Sequence, residues 1–376
     1  MSLTSIHHFL ELFRNAHDTM TLKQFTTTAR VRKASGVIVR MRDHLSPNDI
    51  ALVYESLYKK KNDYLSNFYH KSLDFTRHSL IREPPMTDHF NNATHSQYKN
   101  LIRNLYYREI LEQTETGIPN LRPYLQVILE MYRDHVYDYK IVTNASLNMI
   151  RSGTSIGSIL SGYFFRASIM NPYLVYSLNH SILHAKRVFT PTLGWSSYLV
   201  GFIQSGIEEY VGVDVIPRVC QTTLSLANQL SFNNARVYCQ PSEDLLNDPR
   251  FMRTYKGHFD TVFFSPPYYR LELYKGGTQS TDRYATYEEW LRGYWKNTME
   301  LCHHVTTKNA TVCYIVANYD THAQMVDDMN RITRQYFTFS NQYVLKSGKQ
   351  FTHSKHHEVI HVFKKKSSAS SPKKNK

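Results

Sequence analysis

The chain has 376 residues, 41% hydrophobic and 20% charged, a balance that suits a protein with a buried core and excludes a disordered polyelectrolyte. Its formal charge of +14 at pH 7 favours a polyanionic partner, and without a run of about 18 apolar residues nucleic acid is favoured over membrane. MSLTSIHHFLELFRNAHD has no signal-peptide pattern, and Cys220, Cys239, Cys302 and Cys313 form no CxxC pair, so the expectation is an intracellular protein with reduced core thiols and no zinc ribbon.

Residues 1–145 predict a mostly helical, basic region. ALVYESLYKKKNDYLSNFYHKSLDF and PYLQVILEMYRDHVYDY carry apolar residues at helical spacing, and the prolines of REPPMTDHFNNATHS and ETGIPNLRP separate them. Lys23, Arg30, Arg32, Lys33, Arg40, Arg42, Lys59, Lys60 and Lys61 make this region the expected reader of a nucleic-acid target, although any one of them suits a solvated face. A second region, 146–363, changes texture at about 186. Strands are predicted at Arg187–Thr190, Glu209–Asp214, Arg236–Gln240, Phe259–Ser265 and Ala310–Ala317. Helices are predicted at Tyr198–Gln204, Arg218–Leu230, Tyr287–Val305 and Thr321–Gln335. This alternation implies right-handed crossovers and a mostly parallel sheet. Phe337–Lys346 and Glu358–Phe363 follow without a helix and predict an antiparallel pair at one edge. Their loop, SGKQFTHSKHH, holds His353, His356 and His357 with no acidic or cysteine partner but Glu358, and reads as a surface loop rather than a metal site. Residues 364–376 read as a disordered basic tail. The whole is an α/β, Rossmann-like fold whose seven strands and terminal hairpin fit a class I methyltransferase sheet better than an NAD-binding one.

Ligands of such sheets bind beyond the carboxyl ends of the strands. The first strand ends in Thr190-Pro191-Thr192-Leu193-Gly194-Trp195-Ser196-Ser197, whose small residues let a ligand approach the backbone. The second ends on Asp214 and Val215, where a carboxylate can accept from ribose hydroxyls. The third ends in Gln240-Pro241-Ser242-Glu243-Asp244, where a polar side chain could meet an adenine amino group. Singly each is weak, since an acid after a strand is often a helix cap. The fourth ends in Phe263-Phe264-Ser265-Pro266-Pro267-Tyr268-Tyr269. A Pro-Pro pair fits a strand-ending turn, since neither residue donates to a ladder, and it fixes a rigid extended backbone.

Ser265-Pro266-Pro267-Tyr268 resembles the catalytic tetrapeptide of amino-methyltransferases, [D/N/S]-P-P-[Y/F/W]. With the TPTLGWSS turn and Asp214 it is similar to the DNA N6-adenine and N4-cytosine methyltransferases. SPPYYRLELY followed by QSTDRYATYEEWL is similar to a phage- and giant-virus-type DNA methylase group, over residues 150–363 or so. Gly153-Thr154-Ser155-Ile156-Gly157 with Tyr163-Phe164-Phe165-Arg166 resembles the segment beside the methionine end of the cofactor. The resemblance implies S-adenosylmethionine as cofactor, no metal, and a DNA partner whose target base is flipped from the stack. It implies Ser265 and the Pro266 carbonyl as hydrogen-bond acceptors for the exocyclic amine, with Tyr268 stacked on the base and Tyr269 and Tyr274 nearby. Cofactor contacts are implied at Thr190, Pro191, Gly194, Ser196, Asp214, Val215, Ser242, Glu243, Asp244, Gly153 and Ser155. Two positions depart from the family pattern: Thr190 stands where an acid is usual and Ser196 where a glycine is. An RNA base, a glutamine side chain, a small molecule, or a non-catalytic nucleic-acid-binding role remain as alternatives.

Overall fold

Central strands buried on both faces read as unbroken apolar runs, and two stretches here do so. Val262–Phe264 and Val312–Val316 are each fully buried. They belong to a seven-stranded sheet in the computed structural model of the chain, which describes residues 20–60, 74–117, 122–319, 321–346 and 357–366. Numbered within this sheet, the strands are β1 (Arg187–Thr190), β2 (Glu209–Asp214), β3 (Ala235–Cys239), β4 (Phe259–Phe264), β5 (Thr306–Val316), β6 (Phe337–Val344) and β7 (Val359–Lys365). Their order is β6-β7-β5-β4-β1-β2-β3. Pairings from β5 through β4, β1 and β2 to β3 are parallel. Strand β7 runs antiparallel between β5 and β6, so the expected hairpin is present, with its second strand inserted inside its first. This is the sheet of a class I methyltransferase fold. Chain direction across the sheet reverses between β1 and β4, and the carboxyl ends there form its crevice.

The covering helices follow from local sequence. α1 (Pro172–Leu178) starts on Asn171, whose side chain accepts from Tyr173 N. It packs on α2 (Ser197–Gln204), where a Cβ on Gly201 would stand 2.5 Å from the Pro172 carbonyl oxygen; the two backbones meet only because that residue is glycine. α3 (Pro217–Gln229) follows β2 and α4 (Pro249–Thr254) precedes β4. The helix expected over Tyr287–Val305 is a helical turn, a wide turn at Leu291–Lys296, and α5 (Asn297–Val305). The last helix, α6 (Met325–Tyr336), begins later than the expected Thr321, where Asn318 Oδ1 accepts from Val326 N.

Strand β7 extends two residues past the expected end. Lys364 Nζ donates to Thr311 Oγ1 (2.6 Å), and Lys365 Nζ donates to the carbonyls of His303 (2.5 Å) and Thr306 (2.6 Å). Both lysines therefore belong to the sheet rather than to a tail, while residues 367–376 lie outside the described residues. Cys220, Cys302 and Cys313 are buried free thiols, as expected, but Cys239 is exposed at the end of edge strand β3.

The region before the sheet is less purely helical than its periodicity implies. Arg30–Arg32 pairs antiparallel with Ile38–Arg40 and parallel with Val136–Asp138. The helix from Tyr124 accordingly stops at Arg133 instead of running through VYDY. Helices Pro47–Tyr54, Gln97–Leu105, Asn144–Arg151 and Ile156–Tyr163 account for most of the remainder. A continuous apolar core runs from Phe25 through the sheet to Phe363. Lys23, Arg30, Lys33, Arg40, Arg42, Lys59 and Lys60 are exposed, and Arg32 is half-buried with its guanidinium 3.3 Å from Glu130; Lys61 lies outside the described residues. No helix among the described residues is long and apolar enough to cross a membrane.

Candidate active site

Ser265 leaves the end of β4 with three anchors. Its N–H donates to the Tyr198 hydroxyl (2.9 Å), its carbonyl accepts from Thr192 Oγ1 (3.2 Å), and its Oγ donates to the Ile315 carbonyl (2.9 Å). These come from α2, the turn after β1, and β5, so three elements fix one residue. The Tyr198 phenol, pushed up by burial, stays neutral, and its ring crosses Gly194, where a Cβ would stand 2.2 Å from Cζ. Glycine at 194 thus answers both this contact and a φ of +52°.

Pro266 is buried and Pro267 half-buried. The Tyr268 hydroxyl accepts from Ala317 N (2.8 Å), and its ring stacks on Tyr319 at 6.0 Å between centroids. Any base stacking must use the opposite face. Tyr269 turns inward: it is 6% exposed, its hydroxyl donates to the Ala285 carbonyl (2.7 Å), and its ring meets Tyr287, Trp290 and His322. It supports the following loop rather than a substrate. The Tyr274 hydroxyl donates to the Glu272 carboxylate, and its ring meets the edge of Trp195 at 5.7 Å.

The turn after β1 is held in an uncommon conformation. Gly194, Trp195 and Ser196 have φ of 52°, 57° and 62°, and a bulky residue there costs about 1–3 kcal/mol. The surroundings over-determine it. Trp195 Nε1 donates to the Ser168 carbonyl (3.2 Å), and its ring packs against Tyr106 (5.8 Å) and Tyr274. Ser196, fully buried, bonds the Tyr106 hydroxyl and Thr223 Oγ1 (2.6 Å). Thr190, also fully buried, bonds the Tyr210 hydroxyl at 2.7 Å. At both departures from the family pattern the side chain is buried and bonded to interior elements. Pro191 is likewise buried.

Asp214 ends β2 as expected. Oδ2 accepts from Leu193 N (3.2 Å) and Oδ1 from Ile216 N (3.1 Å), so the carboxylate ties the turn after β1 to the start of α3. Burial raises its pKa and those backbone N–H groups oppose the rise. Each oxygen retains a lone pair for a hydroxyl. Beyond β3, Ser242 and Glu243 are buried, and Glu243 accepts from Arg283 Nη1 (2.9 Å) and the Tyr284 hydroxyl (3.2 Å); Asp244 accepts from Arg283 Nη2 (2.7 Å). Val215 is half-buried, and a Cβ on Gly277 would stand 1.8 Å from its carbonyl oxygen. The segment after Tyr268 therefore lies across the ends of β2 and β3. Ser155 caps helix Ile156–Tyr163, accepting from Ser158 N (3.1 Å), and Gly153 is exposed. Each stands at a helix end, Gly153 just after Asn144–Arg151 and Ser155 just before Ile156–Tyr163. Among the described residues no group of three or more His, Cys, Asp or Glu is placed to hold a metal ion, and His353 and His356 lie outside them.

No protein-family model matches the sequence, and no curated protein matches it. Solved structures with a similar fold include TrmN from Thermus thermophilus, 13% identical, TM-score 0.38, covering 52% of this chain and 49% of that one. Another is N-methyltransferase NodS from Bradyrhizobium japonicum WM9 in complex with S-adenosyl-L-homocysteine, 8% identical, TM-score 0.34, covering 52% of this chain and 84% of that one. A third is the [4+2]-cyclase SpnF, 7% identical, TM-score 0.37, covering 53% and 83%. The chain thus spans about half the length of TrmN. Such likenesses concern the fold alone, and a fold does not dictate the reaction. The site has to carry that argument.

Proposed function

We propose that this chain transfers a methyl group from S-adenosylmethionine to the exocyclic amino group of a base in nucleic acid, DNA in preference to RNA. The observation that carries the reading is Ser265. Its hydroxyl proton is committed to the Ile315 carbonyl, so Oγ faces a substrate only as an acceptor. An amine needs acceptors here: its lone pair is delocalised into the ring, and hydrogen bonds from its N–H groups to Ser265 Oγ and the Pro266 carbonyl turn nitrogen toward tetrahedral geometry. Positioning of this kind can supply much of a rate enhancement. The cofactor, when bound, supplies an already activated methyl. Asp214 fits it, ending β2 with a lone pair to spare on each carboxylate oxygen. Tyr268, braced by Tyr319 and Ala317, gives a base a ring to stack on, and the net charge of +14 suits a polyanionic substrate. Adenine N6 and cytosine N4 present the same chemistry to Ser265.

The buried side chains of Thr190 and Ser196, bonded to interior elements where the family pattern has an acid and a glycine, favour a second reading, a nucleic-acid-binding subunit without catalysis. Single-turnover transfer of labelled methyl to DNA separates the two. Ser265→Ala and Tyr268→Ala should each lose methyl transfer by about 10–100-fold, the latter from stacking worth about 1–3 kcal/mol per base, while S-adenosylhomocysteine affinity stays within twofold. Wild-type turnover in both variants would remove this site from the reaction.

A further inference from the structure

A cleft opens at the amino ends of β4 and β5, the opposite end of the sheet from Ser265. β4 spans six residues, so about 20 Å of strand separates the two at about 3.3 Å per residue. The cleft has a volume of about 440 Å³, within the range of about 300–1,000 Å³ found for small-molecule sites. Local structure makes it. Gly257 N and His258 N donate to the carbonyls of His304 (3.0 Å) and Val305 (2.7 Å), which clasps the loop before β4 to the end of α5. Between the pairs Thr306–Phe259 and Thr311–Thr261, β5 advances five residues and β4 two, so three residues of β5 stand out of the ladder. Such excursions re-aim side chains, and Lys308 lies in this one, exposed.

Apart from Gly257, every residue that lines the cleft is basic or a threonine. Lys256, Lys308 and Lys365 bring ammonium groups, His303 and His304 imidazoles, and Thr307 a hydroxyl. Lys365 is fixed in place: Nζ donates to the carbonyls of His303 and Thr306, and its third N–H is left over. His304 Nε2 stands 2.8 Å from the Met252 carbonyl, which only accepts, so Nε2 carries the proton and Nδ1 remains. Among the described residues no carboxylate pairs with Lys256, Lys308 or Lys365. The carboxylates near this end of the sheet are engaged otherwise. Glu209 pairs with His258 (2.6 Å), Asp260 accepts from Arg187 N (2.9 Å), and Glu300 accepts from the Tyr336 hydroxyl (3.4 Å).

We propose that this cleft is a second anion site, which takes phosphate groups independently of the crevice beyond β4. A phosphate group carries up to about two negative charges and three strong acceptor oxygens, against one charge and two oxygens for a carboxylate, and it matches the three ammonium groups better. Lysine takes phosphate as a point charge, so no planar fork is required of the site. Burial lowers the pKa of Lys365, and burial followed by the Lys365 charge lowers that of His303; a bound phosphate opposes both shifts. A free phosphate compound and the backbone of a nucleic acid offer this same group. Neither occupant requires methyl transfer, so the site stands whether or not that reading does.

The test uses the full chain and two probes: inorganic pyrophosphate, read by calorimetry, and a fluorescent single-stranded oligodeoxynucleotide, read by anisotropy. Lys256 and Lys308 are exposed, so Gln at both positions leaves the core untouched. The double variant Lys256→Gln, Lys308→Gln should weaken pyrophosphate tenfold or more and leave S-adenosylhomocysteine within twofold. A control of equal charge, Lys23→Gln with Lys33→Gln, should leave pyrophosphate within twofold. Loss of the oligonucleotide along with pyrophosphate in the cleft variant supports the site with a nucleic-acid backbone as its occupant. Loss of pyrophosphate alone supports it with a free phosphate compound. Both probes within twofold of wild type in the cleft variant, or an equal loss in the control, overturns the proposal. If the wild type methylates no nucleic acid, the enzymatic reading fails, while pyrophosphate binding that is lost only in the cleft variant still supports the site.

Discussion

Ser265, Tyr268 and Asp214 were legible because each terminates a strand whose apolar run is visible in the sequence. Their supports were not. Tyr198 and Ile315 lie 67 and 50 residues from Ser265, and Tyr319 lies 51 from Tyr268, or they act through main-chain groups that no motif encodes. The bonds of Thr190 and Ser196 were hidden for the same reason: their partners, Tyr210, Tyr106 and Thr223, meet them only on folding. A buried histidine gives a test of the packing at this scale. His361 on β7 is 2% exposed, neither ring nitrogen has a hydrogen-bond partner among the described residues, and burial brings its pKa down to about 4. Between about 6.5 and about 4 the unfolded chain holds the proton and the folded chain does not, so stability falls as pH drops through that window. The slope should approach 1.4 kcal/mol per pH unit. Denaturant melts of His361→Phe should show a shallower dependence than wild type across the same range; equal slopes would place the titration elsewhere.

At the scale of elements, six of the seven strands were expected within two residues of their bounds or better, and the buried parallel ones among them, β1, β2 and β4, leave continuous apolar text. Strand β5 begins earlier than expected, at Thr306, across a register shift before Thr311. The three-residue strands Arg30–Arg32, Ile38–Arg40 and Val136–Asp138 left no such text. A pairing between residues about a hundred positions apart has no local period to read. The segment after Tyr268 carries Tyr269 and Tyr274, which the resemblance set near the base. It also crosses the ends of β2 and β3, with Gly277 on the Val215 carbonyl and Arg283 paired to Glu243 and Asp244. If this strap covers the bound cofactor, releasing it speeds both entry and exit. Arg283→Ala should raise the dissociation rate of S-adenosylhomocysteine several-fold in stopped flow, with a smaller change in affinity. An unchanged dissociation rate would mean that the cofactor leaves by another path.

For the whole molecule, charge pointed toward a polyanion without giving its address. The exposed cations before the sheet, such as Lys23, Lys33 and Arg40, are scattered along the sequence. The expected basic tail shrinks by Lys364 and Lys365, now in β7, and by Lys366, whose Nζ donates to the Arg334 carbonyl at 3.0 Å. Lys373, Lys374 and Lys376 lie outside the described residues. Deleting 367–376 should flatten the dependence of log K on log salt by up to about 0.9 per phosphate neutralised on duplex and leave base preference intact; a changed preference with an unchanged slope would contradict this.

The central claim is methyl transfer to a base amine, and the nucleosides themselves report on it. The chain is incubated with isotopically labelled S-adenosylmethionine and DNA or RNA, the nucleic acid is digested, and the nucleosides are resolved by mass. The account predicts label in N6-methyldeoxyadenosine or N4-methyldeoxycytidine from DNA, and far less in any ribonucleoside. Unlabelled nucleosides from a chain that binds both cofactor and DNA, or label confined to RNA or to a ring carbon, would contradict it.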